Sequence, residues 1–294
     1  MLSFLPSFIV MPLSFIFFCL NLAIIGSIIT LGGLFKAIIR IDSFHRFLYG
    51  PMHFFYRLWA LNNFLIIALF NRVEWQVTGY ENLNKEAWYL LIANHQSWLD
   101  IIVLSHLARK HTSDPKYFLK ESLKKIPFLG VGCWALDMPF MKRYSKSFLT
   151  KNPHLEGQDI IETKKSCQSF SQKPTTIINF VEGTRFTTKK QKIQSQFTNI
   201  LPPKAGGIAF TLATLGNQFD KILNVTIIYP NASHHIMKDV LRGRLTKIII
   251  TIEQLDIDNA LIGDYNNQVF KSQFQQWLNN LWRQKDTSIE QLLD

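Results

Sequence analysis

The first 35 residues of the chain contain no Asp, Glu, Lys, Arg or His, and this uncharged stretch constrains the fold more than any other feature. A helix needs only about 20 apolar residues to cross the hydrocarbon core of a bilayer. We therefore predict a membrane helix over residues 7–35. A secretory signal peptide begins with basic residues and ends at a small-residue cleavage site. Here the first basic residue is Lys36 and no A-x-A sequence precedes it, so we expect the segment to be retained as an anchor.

The charges after this stretch predict the side of the membrane on which the rest of the chain lies. Between residues 36 and 72 the basic residues outnumber the acidic ones, of which Asp42 is the only example. Segments rich in Lys and Arg remain on the cytoplasmic side. We therefore expect a protein of the inner (cytoplasmic) membrane, or an equivalent membrane, whose main domain faces the cytoplasm.

A second apolar run, residues 58–70, has only 13 residues and is too short to span a bilayer easily. We interpret it as an interfacial or re-entrant helix, with Trp59 and the flanking Arg57 and Arg72 at the level of the lipid headgroups. A buried core helix is the alternative. The chain is thus expected to divide into a membrane anchor with an interfacial segment, residues 1–72, and a second domain, residues 73–294.

Beyond residue 72, short apolar runs alternate with longer amphipathic ones. The runs rich in β-branched or aromatic residues predict strands at residues 73–78, 88–93, 116–119, 133–140, 175–181, 223–229 and 246–254. The amphipathic segments predict helices at residues 98–109, 157–171, 206–215 and 266–282, and residues 142–153 and 187–203 are expected to form exposed loops. This order predicts an α/β fold with a largely parallel central sheet flanked by helices.

The overall charge favours an anionic partner. Lys and Arg number 32 against 21 Asp and Glu, a formal net charge of +11, and the chain also contains 24 Phe, 7 Trp and 8 Tyr. Positive charge combined with aromatic residues suits an anionic membrane surface at least as well as a nucleic acid. The three cysteines form no CxxC pair and the adjacent His234 and His235 have no third ligand at a convincing spacing, so neither a disulfide framework nor a metal site is indicated.

His95 and Asp100 form the first candidate for chemistry. His95 follows the apolar run 88–94 and precedes a helical pattern, which places it at the carboxyl end of a buried strand, where open α/β sheets bind ligands. Five residues along a regular helix correspond to about 500° of rotation, so the two side chains can meet only if a turn folds His95 back over the helix. Asp100 would then orient the imidazole and support its protonated form, which makes His95 a general base. An exposed histidine beside a helix-capping aspartate is the alternative.

A second apolar strand ends in the polar turn formed by Glu182, Gly183, Thr184 and Arg185. Gly183 permits a positive φ or close backbone approach. Arg185 offers a planar guanidinium for phosphate, and Glu182 can hold that guanidinium or a substrate hydroxyl. Taken by itself, such a turn is more often a surface ion pair.

The two segments together resemble the glycerolipid acyltransferases. Residues 94–100 (NHQSWLD) are similar to the family's NHxxxxD motif, and residues 182–185 are similar to its EGTR motif. Between them, a segment containing Lys120 and Arg143 is similar to the family's second block. The motifs occur in family order over roughly residues 73–230, and the 1-acylglycerol-3-phosphate acyltransferase branch is the most similar.

The resemblance implies a membrane-bound enzyme that moves a fatty acyl group from an acyl thioester to 1-acylglycerol 3-phosphate, giving phosphatidate. His95 would be the catalytic base and Asp100 its partner. The EGTR turn would bind the phosphate of the acceptor through Arg185, and Lys120 and Arg143 would be further substrate contacts. The resemblance implies no cofactor, metal or nucleic acid. The expected partners are a lysophospholipid acceptor, the thioester donor (acyl-CoA or acyl carrier protein) and the anionic membrane surface.

The sequence departs from the family pattern at two positions and leaves other functions open. Val181 stands where the family commonly has Pro, and in the fourth block Pro230 comes late. We expect activity to survive the first change, while the second puts the acyl-chain and headgroup preference in doubt. The alternatives are another lysophospholipid acceptor, a thioesterase or lipid hydrolase in which His95 activates water, and a catalytically silent membrane scaffold.

Overall fold

The computed structural model of the chain describes residue 2 and residues 4–141, 173–194 and 196–293. Three expectations fall outside these residues: the helix at 157–171, the loop at 142–153 and the candidate substrate contact Arg143.

Two long apolar helices begin the chain. α1 covers Ser7–Ile38 and α2 covers Asp42–Phe70, and both are long and apolar enough to cross a membrane by length and composition. α2 starts well before residue 58, where the predicted apolar run begins. Its additional turns form because buried residues such as Met52, Tyr56 and Ala60 continue the helical spacing towards its amino end.

The two helices pack antiparallel and lie along the rest of the chain. The amide of Asn21 on α1 donates to the carbonyl of Trp59 on α2 at 3.1 Å. Near its start, α1 is held by the hydroxyl of Ser14, which donates to the carbonyl of Leu241 at 2.7 Å. Near its end, Lys36 pairs with Asp137 at 2.6 Å. The helix pair is therefore attached to the remaining structure near both of its ends.

Among the residues that the structure describes, the central sheet has six strands and a second sheet has two. The strands are β1 (Glu74–Thr78), β2 (Tyr89–Ala93), β3 (Asp114–Tyr117), β4 (Leu119–Lys120), β5 (Phe140–Met141), β6 (Thr175–Phe180), β7 (Lys221–Ile228) and β8 (Lys247–Leu255). The order in the central sheet is β1-β8-β7-β2-β6-β3, and every pairing is parallel except that between β7 and β8. The predicted largely parallel sheet is confirmed.

Helices cover both faces of this sheet. They are α3 (Leu99–His111), α4 (Leu129–Ala135), α5 (Thr188–Gln194), α6 (Ala205–Leu215), α7 (Ile236–Leu241) and α8 (Gln268–Leu293), with short 3₁₀ helices at Glu121–Lys125, Gly216–Gln218 and Asn259–Leu261. Leu91 and Ala93 face a core shared with α1 to α4, whereas Leu90 and Ile92 face a core shared with α6 and α8. The central strands are buried on both faces because each face has its own helical layer.

Two local predictions are wrong. Residues 133–140 form no strand: the chain is helical up to Ala135, in α4, and only Phe140–Met141 pairs as a strand. Gly33 of α1 explains the difference. Because it has no side chain, α1 approaches Ala135 so closely that a Cβ built on Gly33 would lie 2.3 Å from the Cβ of Ala135. This close contact favours a packed helix at Ala135 over a strand. The predicted loop at 187–203 contains the short helix α5.

Candidate active site

Three neighbouring strands end at the same edge of the central sheet, and the polar residues that follow them lie together there. β2 lies between β7 and β6, and all three run parallel. His95 comes just after β2, Glu182 just after β6 and Tyr229 directly after β7. Because open α/β sheets bind ligands at the carboxyl ends of their strands, this edge is the candidate site.

His95 and Asp100 are in direct contact. The ring Nδ1 of His95 lies 2.7 Å from Oδ2 of Asp100, which is the second residue of α3. A turn between β2 and α3 folds the imidazole back over the start of the helix, as the spacing in the sequence requires. The Asp100 side chain is fully buried, while that of His95 is 13% exposed. With Nδ1 engaged by the carboxylate, Nε2 is the ring nitrogen that can take a proton.

Asp100 receives three further hydrogen bonds. The backbone N–H groups of Gln96 and Ser97 donate to Oδ2 at 2.6 and 2.9 Å. The hydroxyl of Tyr229 donates to the other oxygen, Oδ1, at 2.6 Å. A buried carboxylate is costly unless donors surround it, and these contacts supply that compensation.

The segment carrying His95 is held in place by its neighbours. Asn94 uses both ends of its side-chain amide on Ile227 of β7, accepting from its N–H and donating to its carbonyl, each at 2.9 Å. The imidazole of His95 stacks on the ring of Phe180 with 3.9 Å between centroids and 17° between planes. Both contacts limit the orientations that the imidazole can adopt.

The EGTR turn lies against the His95 segment. Gly183 has a φ of 67°, in the region that favours glycine. The N–H of Phe186, just after the turn, donates to the carbonyl of His95 at 2.7 Å. The turn and the His95 segment therefore form one unit, although 87 residues separate His95 from Glu182.

The side chain of Glu182 lies on the buried side of the turn. Its side chain is only 1% exposed, and Oε1 accepts the backbone N–H of His95 at 3.3 Å. Burial raises the pKa of Glu182 well above its usual range, against the opposing effect of this hydrogen bond. Glu182 thus supports the backbone at His95, a role that the sequence analysis did not anticipate.

Arg185 and Thr184 lie on the outer side of the turn. The guanidinium of exposed Arg185 stacks over the ring of Trp98 with 4.6 Å to the centroid. Lys190 of α5 donates to the Thr184 hydroxyl at 2.7 Å and to the Arg185 carbonyl at 3.0 Å. The turn is held by Lys190, while the guanidinium of Arg185 remains accessible to an anion.

Lys120 is exposed on β4, in the two-stranded sheet, next to Leu119, which lines the same groove as Trp98. Its side chain makes no hydrogen bond to the motif residues that the structure describes. Of the sequence-predicted site residues, the structure brings His95, Asp100 and the EGTR turn into direct contact.

Sequence reasoning missed Tyr229 and Lys190. Tyr229 follows an apolar strand in the same way as His95 and Glu182, and that position was the available signal. Lys190 stands in a basic run of the kind that usually forms a solvated surface, so nothing local distinguished it. His234 and His235 are exposed, and no group of three or more His, Cys, Asp or Glu suited to a metal ion occurs in the described part of the chain.

An apolar groove reaches Trp98, beside the site. It lies among α1, α2, α3 and α4. Its lining residues are Leu22, Ile25, Gly26, Ile29, Tyr56, Trp59, Trp98, Ile101, Tyr117, Leu119, Leu123, Phe128, Leu129, Gly132, Cys133, Leu136 and Met138. Almost all of these side chains are apolar, so the groove suits a hydrocarbon chain.

Comparison with known proteins gives consistent matches. A family model described as "Acyltransferase" matches residues 74–231. The 2-acyl-1-lysophosphatidylinositol acyltransferase of Saccharomyces cerevisiae is 25% identical over 243 residues, which cover 68% of this chain and 60% of that protein. The 1-acyl-sn-glycerol-3-phosphate acyltransferase of the same yeast is 32% identical over 186 residues, covering 63% of this chain and 52% of that protein.

A third relative, lysocardiolipin acyltransferase 1 of Gallus gallus, is 23% identical over 224 residues, covering 70% of this chain and 54% of that protein. The chain thus spans between about half and three-fifths of the length of these curated relatives. Among solved structures, the 1-acyl-sn-glycerophosphate (LPA) acyltransferase PlsC from Thermotoga maritima matches with a TM-score of 0.55 and 16% identity, over 97% of this chain and 95% of that one. That match concerns the fold.

Proposed function

Because the chain belongs to the acyltransferase family, we propose that it moves a fatty acyl group from an acyl thioester to the free hydroxyl of 1-acylglycerol 3-phosphate, giving phosphatidate. The observation that carries this proposal is the 2.7 Å contact between His95 and Asp100, close in the chain to Trp98, which lines the apolar groove and contacts Arg185. The apolar groove suits a hydrocarbon chain and the guanidinium suits a phosphate, and the substrates of such a reaction carry both groups.

In the proposed mechanism, Nε2 of His95 takes the proton of the acceptor hydroxyl as that oxygen attacks the thioester carbonyl. Asp100 accepts the Nδ1 proton in a hydrogen bond and stabilises the imidazolium that forms. The carbon–sulfur bond then breaks, and the thiolate takes the proton from His95 and leaves as a free thiol. The base is regenerated in each cycle, and the chain itself needs no nucleophile.

Arg185 is the proposed contact for the acceptor's phosphate, because its fork of N–H donors is exposed and matches phosphate geometry. Lys120 and Arg143 remain proposed further contacts. Another lysophospholipid acceptor is the second candidate. Two relatives are named for lysophosphatidylinositol and lysocardiolipin, and contact with a phosphate does not specify the group attached beyond it.

We propose the apolar groove as the place for an acyl chain, with acyl-CoA or acyl carrier protein as the donor. Both donors are anionic and suit a chain with a net charge of +11. The chain length accepted would depend on how far the groove extends from Trp98.

Membrane association is part of the proposal. Large apolar side chains remain exposed along α1 and α2, including Leu20, Ile24, Leu31 and Phe47. Exposed apolar patches of this kind mark membrane or protein contacts. We propose that residues 1–72 form the membrane-associated part and residues 73–294 the acyltransferase domain, at the cytoplasmic face of the inner membrane or an equivalent one.

The test is acyl transfer from an oleoyl thioester to lysophosphatidate in detergent micelles, with oleoyl-CoA and oleoyl carrier protein as alternative donors. General-base catalysis predicts that His95→Ala lowers kcat by about 10²-fold or more. His234→Ala, which removes an exposed histidine, serves as the control, and thermal melting checks that both variants fold.

The outcomes separate the alternatives. Phosphatidate formation that depends on His95 supports the proposal, and product from another lysolipid alone would change only the acceptor. Release of free fatty acid without an acceptor would favour a hydrolase. Lipid binding without any turnover would favour a scaffold.

A further inference from the structure

We propose that Tyr229 is a positioning residue of this site, whose hydroxyl holds one oxygen of Asp100 so that the other faces His95. The inference rests on the proposed function for its effect on catalysis, but not for its effect on the imidazole. It concerns a residue outside the NHxxxxD and EGTR motifs.

The geometry assigns the two oxygens of Asp100 different partners. Oδ2 accepts hydrogen bonds from Nδ1 of His95 and from the N–H groups of Gln96 and Ser97, at 2.6 to 2.9 Å. Oδ1 takes the hydroxyl of Tyr229 at 2.6 Å. Tyr229 is therefore the contact that fixes the rotation of the carboxylate from the side opposite His95.

Tyr229 is itself held firmly. It follows the last residue of β7 and is 5% exposed, and the preceding part of β7 is tied to Asn94 through Ile227. Burial, followed by the negative charge of Asp100, raises the pKa of Tyr229 well above its usual range. The hydroxyl thus stays protonated and remains a donor throughout the neutral pH range.

The hydrogen bond has a chemical consequence for His95. A donor on Oδ1 withdraws charge from the carboxylate and weakens its support of the imidazolium. If that donor is removed, Asp100 stabilises imidazolium more strongly and the pKa of His95 rises. A base with a higher pKa is protonated over more of the neutral range and is unavailable for catalysis there.

Other charged and titratable groups surround the pair. Glu182 accepts a hydrogen bond from the His95 backbone at the end of β6. The charge of Asp100 raises the pKa of Glu182 and that of Lys285 lowers it, both in addition to the larger effect of burial. The pKa of Tyr117 on β3 is raised by burial and, to a smaller extent, by the charge of Asp100. Arg185 lies over Trp98, which directly precedes α3. None of these groups changes in a Tyr229 variant, so a shift in the His95 pKa would report the hydroxyl.

The experiment compares wild-type protein with Tyr229→Phe in detergent micelles, using NMR of ¹³C-labelled histidine to measure the pKa of His95. The His95 signal is assigned by its loss in His95→Gln. Tyr89→Phe is the matched control: it removes another buried tyrosine hydroxyl, which accepts the N–H of Asn84 at 2.9 Å, at the opposite end of β2.

We expect Tyr229→Phe to raise the pKa of His95 by about half a unit to one unit, and Tyr89→Phe to leave it unchanged. In acyl-transfer assays the acidic limb of kcat/KM should move to higher pH by the same amount. We also expect kcat to fall by about 10-fold or more while KM changes little, because Asp100 is then less firmly held in the orientation that positions the imidazole.

An unchanged His95 pKa in folded Tyr229→Phe would overturn the inference and leave Tyr229 as a packing residue. If that variant does not fold, a monofluorinated tyrosine at position 229 tests the same bond in the opposite direction. Its more acidic hydroxyl should lower the His95 pKa, and no shift would again overturn the inference. Failure of the acyl-transfer assay alone would count against the proposed function, since the NMR readout requires no turnover.

Discussion

Asp100 is fully buried and has four donors around it, so its charge and its shape are both matched by the surrounding chain. Asp100→Asn would keep the shape but place an amide N–H against one of these donors. We expect kcat for acyl transfer to fall by about 10²-fold or more, because the imidazolium loses its counter-charge. Steady-state kinetics measures the loss. A variant that folds like wild type and retains full kcat would contradict the assigned pairing.

Gly183 is the residue on which the shape of the EGTR turn depends, since its φ of 67° disfavours any side chain. We expect Gly183→Ala to lower the free energy of unfolding by roughly 1 kcal/mol, and Gly183→Asn to lower it by less, because Asn tolerates this region. Chemical denaturation in detergent measures both values. Equal stability of the alanine variant and wild type would show that the turn can adopt another conformation.

At the scale of elements, the contact between α1 and α4 depends on a missing side chain. A Cβ on Gly33 would lie 2.3 Å from the Cβ of Ala135, whereas a Cβ on Gly132 of α4 would meet only atoms of Gly26, at 3.9 and 4.0 Å. We expect Gly33→Ala to destabilise the protein by about 1–3 kcal/mol. Gly132→Ala should instead stabilise it by roughly 0.5–1 kcal/mol, since alanine favours a helix more than glycine does. Melting curves of the pair decide the matter, and loss of stability in both would point to a different cause.

The last helix, α8, supports the site from behind. Lys285 is 3% exposed and donates to the Val225 carbonyl on β7 at 2.6 Å. Asp286 accepts the N–H groups of Thr198 and Asn199 at 2.7 and 2.8 Å. These contacts connect the helix to the central sheet and to the segment that follows the EGTR turn.

Lys285 should also give the protein a pH-dependent stability. Burial lowers its pKa from 10.5 to about 7, against the opposing charge of Glu182. Between these values the unfolded chain binds a proton that the folded chain does not, so this group makes the protein more stable as pH rises from about 7. In Lys285→Met that contribution disappears. The neighbouring Glu182, whose pKa is already raised, would then lose its counter-charge and titrate at still higher pH, an effect of the same sign.

We therefore expect wild type to gain stability over Lys285→Met between pH 7 and 9, by at most about 1.4 kcal/mol per pH unit for each of these two groups. Denaturation at several pH values measures the difference. Lys271→Met, on the same helix but partly exposed, should show no such dependence. A difference between wild type and Lys285→Met that does not vary with pH would contradict the prediction.

On the scale of the whole molecule, the apolar outer surface of the helix pair is the feature to test against membranes. Leu31 on α1 is 56% exposed, and Val269 on α8, which packs on the other face of the sheet, is 67% exposed. We expect Leu31→Glu to weaken binding to phospholipid vesicles by roughly 10-fold or more, because a charge is costly in apolar lipid. Val269→Glu should have little effect. Equal loss in both variants, measured by vesicle flotation, would argue against a membrane-binding surface on α1.

Much of the architecture could be read from local patterns. Apolar runs rich in β-branched or aromatic residues located all six central strands to within two residues at each end, and the uncharged amino-terminal stretch located α1. The segment at 133–140 failed because a short apolar run fits a strand and a buried helix equally well. There the decision came from the contact of Ala135 with Gly33, about a hundred residues earlier in the chain, which no local pattern reports.

For the site, local patterns were enough to show that His95 and Glu182 follow buried strands and that Asp100 lies at the start of a helix, because these relations depend on neighbouring residues. The position of β7 beside β2 is visible only in the folded chain. That strand order brings Tyr229 to Asp100 across 129 residues, and the packing of α8 brings Lys285 to Val225 across 60. Strand order and helix packing depend on how the apolar faces of separate elements fit together. Hydrophobic periodicity identifies the apolar face of each element but does not specify the face that it packs against.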